Sequence, residues 1–116
     1  MNATKNMNCW DKLHLREIEV ERTIRHLEKE RQEVEENTDW LDRAAYESRV
    51  RLLDGLTTLY RYEMKEIEKA HSRVAEGSYG LCLACHEPID ADQLEIYPAS
   101  QFCFECQDYR DRLTTD

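Results

Sequence analysis

From Trp10 to about Glu36 the chain contains neither Gly nor Pro, and Leu13, Val20, Ile24, Leu27 and Val34 follow one another at separations of seven, four, three and seven. That spacing predicts a helix with one apolar stripe. Arg31 falls on the stripe between Leu27 and Val34, where an apolar residue belongs. Its alkyl stem is expected to lie along the seam with the guanidinium in water.

A second pattern follows. Tyr46, Val50, Leu53, Thr57, Tyr60, Met64, Ile67, His71 and Val74 alternate four and three apart, which predicts a helix running to about Glu76. Leu52, Leu56 and Leu59 widen its apolar face, so it is expected to pack on more than one neighbour. Gly55 inside it costs about 1 kcal/mol relative to Ala and marks either a flexible point or a close-packed one. Between the two patterns, Glu36, Asn37, Thr38 and Asp39 supply turn and capping chemistry. So short a connection brings the two helices together antiparallel, as a coiled-coil hairpin with its tip near residues 37–44. At 1.5 Å per residue the helices would be about 40 Å and about 55 Å long.

After Glu76 the composition changes to Gly77, Ser78, Tyr79 and Gly80, which ends the helix. This divides the chain into a helical hairpin, 1–76, and a cysteine-bearing globule, 77–116. From Cys106 through Leu113 good helix formers, with Tyr109 and Leu113 four apart, predict a short closing helix. The fold class expected is therefore mainly α: a long antiparallel coiled-coil hairpin, a small four-cysteine zinc finger and a short C-terminal helix. No internal repeat or low-complexity tract interrupts it.

Composition sharpens this picture. Of the 116 residues 41% are hydrophobic and 35% charged, which suits an elongated helical body with a small knob better than a single globule. The net charge of −9 and the absence of any Lys or Arg run set the surface against phosphate backbones, so direct DNA binding is not expected. No apolar stretch approaches the roughly 20 residues of a membrane span, and no signal peptide is recognisable. A cytoplasmic monomer is expected, without a membrane partner.

In a reducing compartment five cysteines point to metal rather than disulfides. Cys82 and Cys85 form one pair with two residues between them, Cys103 and Cys106 another, and seventeen residues separate the pairs. Two such knuckles supply a tetrahedral thiolate set with bonds of about 2.3 Å. With all four positions filled, no place is left for substrate or activated water, and the ion expected is a single structural Zn(II). Iron in the same cage, a redox dithiol and unligated buried cysteines are the alternatives. His86, next to Cys85, is either a further ligand or an exposed bystander at a turn where Gly would fit more easily. Cys9 is left over, as a small hydrophobe or an exposed thiol near a frayed end.

At the tip, Asp39, Asp42 and Ala44 lie close in sequence. Asp39 can act as a helix cap and Asp42 as a first-turn acid favoured by the helix dipole, so on their own they need no further role.

The tip Asp39-Trp40-Leu41-Asp42-Arg43-Ala44, between long helices, together with Tyr79-Gly80-Leu81-Cys82 through Cys103-Phe104-Glu105-Cys106, resembles the DksA/TraR family. The resemblance covers the tip, the second helix and the finger; the first helix matches in pattern only. It implies a transcription regulator that binds bacterial RNA polymerase, inserting the hairpin through the secondary channel so that the tip approaches the catalytic magnesium centre. Asp39, Asp42 and Ala44 match the family's Asp-x-x-Asp-x-Ala tip and are the residues expected to act on the polymerase, altering promoter-complex stability. An N-terminal extension like that of long members is not expected. Members responsive to ppGpp present basic residues near the hairpin base and on the finger, where this chain has Glu63, Glu66, Tyr97 and Gln107, so synergy with ppGpp is expected to be weak or absent. No enzymatic activity is expected. The competing reading is a zinc-capped coiled-coil adaptor engaging partners through Leu52, Leu56 and Leu59. Direct DNA binding by the finger is opposed by Asp90, Asp92, Glu95 and Glu105 around it.

Overall fold

The computed structural model describes the backbone of residues 2–37 and 42–114 and the side chains of 10–37 and 42–114. These residues form α1 (Asn2–Glu36), α2 (Arg43–Glu76), α3 (Ala91–Ile96) and α4 (Phe104–Thr114). Among the described residues no strand forms, and extended pairing is confined to one antiparallel bridge between Leu81 and Pro88. The chain is mainly helical, as the periodicity predicts. It packs as two compact units, Glu17–Met64 and Met1–Arg16 with Lys65–Asp116.

In Glu17–Met64, α1 and α2 run antiparallel. Three cross-helix ion pairs join them, Glu28 to Arg61 at 2.6 Å, Arg31 to Asp54 at 3.0 Å and Glu30 to Arg49 at 2.8 Å, so that the earliest residue of the three on α1 meets the latest of the three on α2. Val20, Leu27 and Leu53 are buried between them, while Ile24, Val34, Val50, Thr57, Tyr60 and Met64 are half-buried. Full burial of each such aliphatic side chain is worth about 1.5–3 kcal/mol, and this seam holds the unit together. The Thr57 hydroxyl, placed on the seam, donates to the Leu53 carbonyl at 2.8 Å and so buries no unsatisfied polar group.

Several expectations need correction. The Arg31 guanidinium stays solvent-accessible, as expected, but it also reaches across to Asp54. Leu52 and Leu59 are 52% and 66% exposed and do not pack on a second neighbour. A Cβ built on Gly55 would meet nothing within 4 Å, which removes the close-packed reading of that glycine. α1 begins near Asn2, so Cys9 lies within the helix, near its start; its side chain is outside the described residues.

Both hairpin helices are capped at the turn. Asn37 donates from its backbone amide (3.1 Å) and from Nδ2 (2.7 Å) to the Glu33 carbonyl, closing α1. Asp42 opens α2: its Oδ1 accepts from the Ala45 amide at 2.8 Å and its carbonyl from the Tyr46 amide at 3.0 Å. This is N-cap geometry, with the side chain satisfying the third helical amide. Asp42 is therefore the cap rather than a first-turn acid.

In the other unit the buried apolar side chains are Leu13 of α1, Ile67 and Ala70 of α2, and Cys82, Ile89 and Ala99 of the globule. Trp10 stacks on His14 with ring centroids 5.1 Å apart and meets the His71 ring edge-on at 6.4 Å. α2 ends in a left-handed Gly77 (φ 82°), with the Gly77 amide bonded to the Val74 carbonyl (3.2 Å) and the Ser78 amide to that of Arg73 (2.9 Å). Those are the two bonds of a Schellman cap, and glycine is there because an L side chain resists that φ. The short α3, capped by Asp90, was not foreseen from sequence; α4 was.

Candidate functional site

The first cysteine pair sits on a tight hairpin. The Cys82 amide donates to the Glu87 carbonyl at 2.8 Å, the Ile89 amide to that of Gly80 at 2.7 Å, and the His86 amide back to Cys82 at 3.0 Å. Closing that loop forces His86 to φ 64°, the left-handed conformation that Gly adopts without penalty. The second pair straddles the start of α4: Cys103 precedes it, with its carbonyl accepting from the Gln107 amide at 2.9 Å, and Cys106 lies in the first turn. The two knuckles are joined by the Leu83 amide, which donates to the Gln101 carbonyl at 2.9 Å.

These constraints bring Cys82, Cys85, Cys103 and Cys106 together, with all four sulfurs within 4.8 Å of one another. Cys85 Sγ and Cys103 Sγ are 3.8 Å apart, the edge of about 3.8 Å that a tetrahedron with bonds of about 2.3 Å demands. The cysteines are free, so the cage is not a disulfide pair. His86 does not belong to the cluster.

The thiols influence one another strongly. Burial pushes Cys82 up, but the backbone amides of Cys85, Cys103 and Ala84 outweigh it and bring the thiol down to about 6. For Cys85 the Glu87 amide favours the thiolate, yet burial and the neighbouring sulfurs of Cys82 and Cys103 prevail and raise it. Cys106 is pushed up to about 12, first by Cys103 and then by Cys82. The cage is thus built to ionise one sulfur readily and to resist accumulating further negative charge. A divalent cation removes that resistance, and the all-sulfur donor set and tetrahedral spacing fit zinc.

Arg73, which sequence reasoning passed over, anchors the cage to α2. It is 7% exposed, and its Nη2 donates to the carbonyls of Ser78 (3.0 Å) and Leu81. Gln101 does the same from the other side, its Nε2 donating to Glu66. Neither residue breaks the hydrophobic pattern in a way that advertises this; only the proximity of Arg73 to a helix-ending Gly hints at it.

Residues 77–112 match the prokaryotic dksA/traR C4-type zinc finger family. Over 104 residues, 90% of this chain and 70% of the relative, the sequence is 34% identical to the RNA polymerase-binding transcription factor DksA of Caulobacter vibrioides. The chain belongs to the DksA/TraR family. It is also 31% identical to an uncharacterized protein of Aquifex aeolicus, covering 76% of this chain and spanning 65% of that protein's length. The solved structure of transcription factor DksA2 from Pseudomonas aeruginosa has the same fold, with a TM-score of 0.82 over 97% of this chain and 88% of that one, at 23% identity. As a C4-type finger of this family, the four-cysteine cage takes one structural zinc ion, which fixes both knuckles.

Of the tip residues that the resemblance singles out, Asp42 and Ala44 are exposed at the start of α2, while Asp39 lies outside the described residues. Glu63 is buried and Glu66 is engaged by Gln101 and by Lys69 at 3.5 Å. No helix of the described residues is long and apolar enough to cross a membrane.

Proposed function

We propose that this chain is a transcription regulator that binds bacterial RNA polymerase, entering the secondary channel hairpin first so that Asp39, Asp42 and Ala44 act near the catalytic centre and change the lifetime of promoter complexes. The observation that carries the reading is the 34% identity with a polymerase-binding DksA over 90% of the chain. The exposure of Asp42 and Ala44 at a capped helix start supports it, because a cap holds the carboxylate in one orientation. An acidic probe is attracted by a partner's magnesium and basic channel walls and repelled by DNA, so the chain contacts protein and not the promoter. It acts in the cytoplasm, as a monomer, and modulates another enzyme's chemistry without a reaction of its own.

Within this reading Cys82, Cys85, Cys103 and Cys106 all ligate the zinc, and the hairpin, 1–76, and the finger globule, 77–116, are the two functional parts. Glu63, Glu66, Tyr97 and Gln107 offer a polyphosphate no cationic cradle, so ppGpp adds little. The test is retention of the protein by bacterial core RNA polymerase followed by crosslinking from a photoreactive residue at position 42. Crosslinks near the catalytic centre support the proposal; retention with crosslinks only to the polymerase exterior overturns the channel mechanism.

The exposure of Leu52 and Leu59 favours one rival, a zinc-capped coiled-coil adaptor that engages its partner through that face. Under it, substitutions at Asp42 are silent and Leu52→Ser abolishes binding.

A further inference from the structure

The finger globule carries an open groove beside the cysteine cage, wider than the cage itself. Ile96, the last residue of α3, is 85% exposed and Phe104, the first of α4, is 77% exposed. Both wall, with Pro88, a concavity of about 590 Å³ that Cys85 and Cys103 also line. Isolated apolar side chains on a surface are ordinary, but two large ones bordering one concavity in so small a globule form a recognition feature. The polar lining has one sign: Glu87, Asp90 and Glu105 contribute carboxylates, and no Lys or Arg lines the groove. Glu87 and Glu105 enter no ion pair among the described residues, and Asp90 Oδ1 accepts from the Asp92 amide at 3.2 Å as the cap of α3.

We propose that this groove binds a short segment of a partner protein that carries one or two aliphatic side chains flanked by Lys or Arg. The aliphatic group is removed from water between Ile96 and Phe104, which supplies the favourable burial, while the flanking cations meet Glu87, Asp90 and Glu105 and fix the segment's register. Nucleic acid is a poor occupant, because its phosphates would face three carboxylates. A second copy of this chain is poor as well, since each carries a net charge of −9 and would bring acid to acid. The proposal uses none of the tip residues and does not depend on the polymerase reading.

The test uses the full zinc-loaded chain and two synthetic peptides, one with two central leucines flanked on each side by two lysines, the other with glutamates in place of the lysines. Peptide affinity is followed by fluorescence anisotropy and its location by the resonances of the Ile96 methyls and the Phe104 ring. The lysine peptide is expected to bind saturably with shifts at those two residues, and about tenfold more weakly to Ile96→Ser and to Glu87→Gln combined with Glu105→Gln. Zinc content, measured for each variant, separates loss of the groove from loss of the fold. Equal binding of the glutamate peptide, shifts that spare Ile96 and Phe104, undiminished affinity in zinc-loaded variants, or self-association that covers Ile96 in sedimentation would each overturn the proposal.

Discussion

Arg31 Nε donates to Asp54 Oδ1 across 3.0 Å, tying α1 to α2 where Arg31 interrupts the apolar stripe between Leu27 and Val34. The hydrogen bond to Asp54, more than that to Glu35, raises the guanidinium above its ordinary value, so the cation is permanent. An exposed pair of this kind contributes little in water, whereas a leucine on a half-buried seam position contributes through burial. Arg31→Leu is therefore expected to raise the urea midpoint of unfolding. Asp54→Ala is expected to lower it slightly, by an amount that shrinks with added salt. A marked fall in the midpoint for Arg31→Leu would mean that the ion pair, not the apolar contacts, sets the register of the hairpin.

Gly55 lies in the middle of α2 with open space where a side chain would go. Gly55→Ala is expected to stabilise the protein by about 1 kcal/mol, measured by chemical denaturation, because the cost of glycine there is backbone entropy alone. A destabilised variant would contradict the open environment.

His86 is held at φ 64° by the hydrogen bonds that close the first knuckle. His86→Gly removes the clash of a Cβ in that conformation and is expected to stabilise the zinc-loaded protein by about 1 kcal/mol with unchanged zinc stoichiometry. Loss of zinc from this variant would instead make the imidazole a ligand.

The sulfur cage predicts a pH signature. The folded value of Cys82 is about 6, below the ordinary thiol value of 9.0. Its ionisation therefore favours the arranged cage above about pH 9, and that contribution is lost as pH falls through about 6. Cys106, pushed up to about 12, behaves oppositely, favouring the arranged cage while it stays protonated and opposing it as pH rises towards that value. Near neutrality Cys82 is already a thiolate, so zinc loading of a preformed cage displaces one proton fewer than from ordinary thiols. The number rises by one when loading is done below about pH 6. Calorimetric titration with zinc in buffers of different ionisation enthalpy counts these protons. A count that does not change across that interval means the metal-free cage is not preformed, and folding accompanies zinc binding.

Much of this was legible in the chain. The heptad positions from Leu13 to Val34 and from Tyr46 to Val74 report burial directly, because a side chain every three or four residues has one face to occupy. The cysteine spacing reports the cage because two tight knuckles leave the sulfurs few other arrangements. What stayed hidden depends on contacts between distant parts of the chain. Arg73 looks like another solvated helix charge until the carbonyls of Ser78 and Leu81 close around it. Leu52 and Leu59 read as core because hydrophobicity does not say whether a neighbour exists. From sequence, Asp42 reads as a first-turn acid because Asp39 and Asp42 are both good caps, and the bond from the Ala45 amide makes Asp42 the cap.

That cap also determines which substitution can test the tip. Asp42→Ala removes both the charge and the acceptor for the Ala45 amide, and is expected to destabilise the protein by about 1 kcal/mol, so a functional loss in it is ambiguous. Asp42→Asn keeps an oxygen in place to accept the same bond and removes only the negative charge, at a cost of a few tenths of a kcal/mol from the helix dipole. If the carboxylate acts in the polymerase, Asp42→Asn is expected to retain binding to the core enzyme and near-native thermal stability while losing its effect on promoter-complex lifetime in a purified transcription assay. Full activity of Asp42→Asn would leave Asp42 as a helix cap and nothing more, and would return the functional question to the face bearing Leu52 and Leu59.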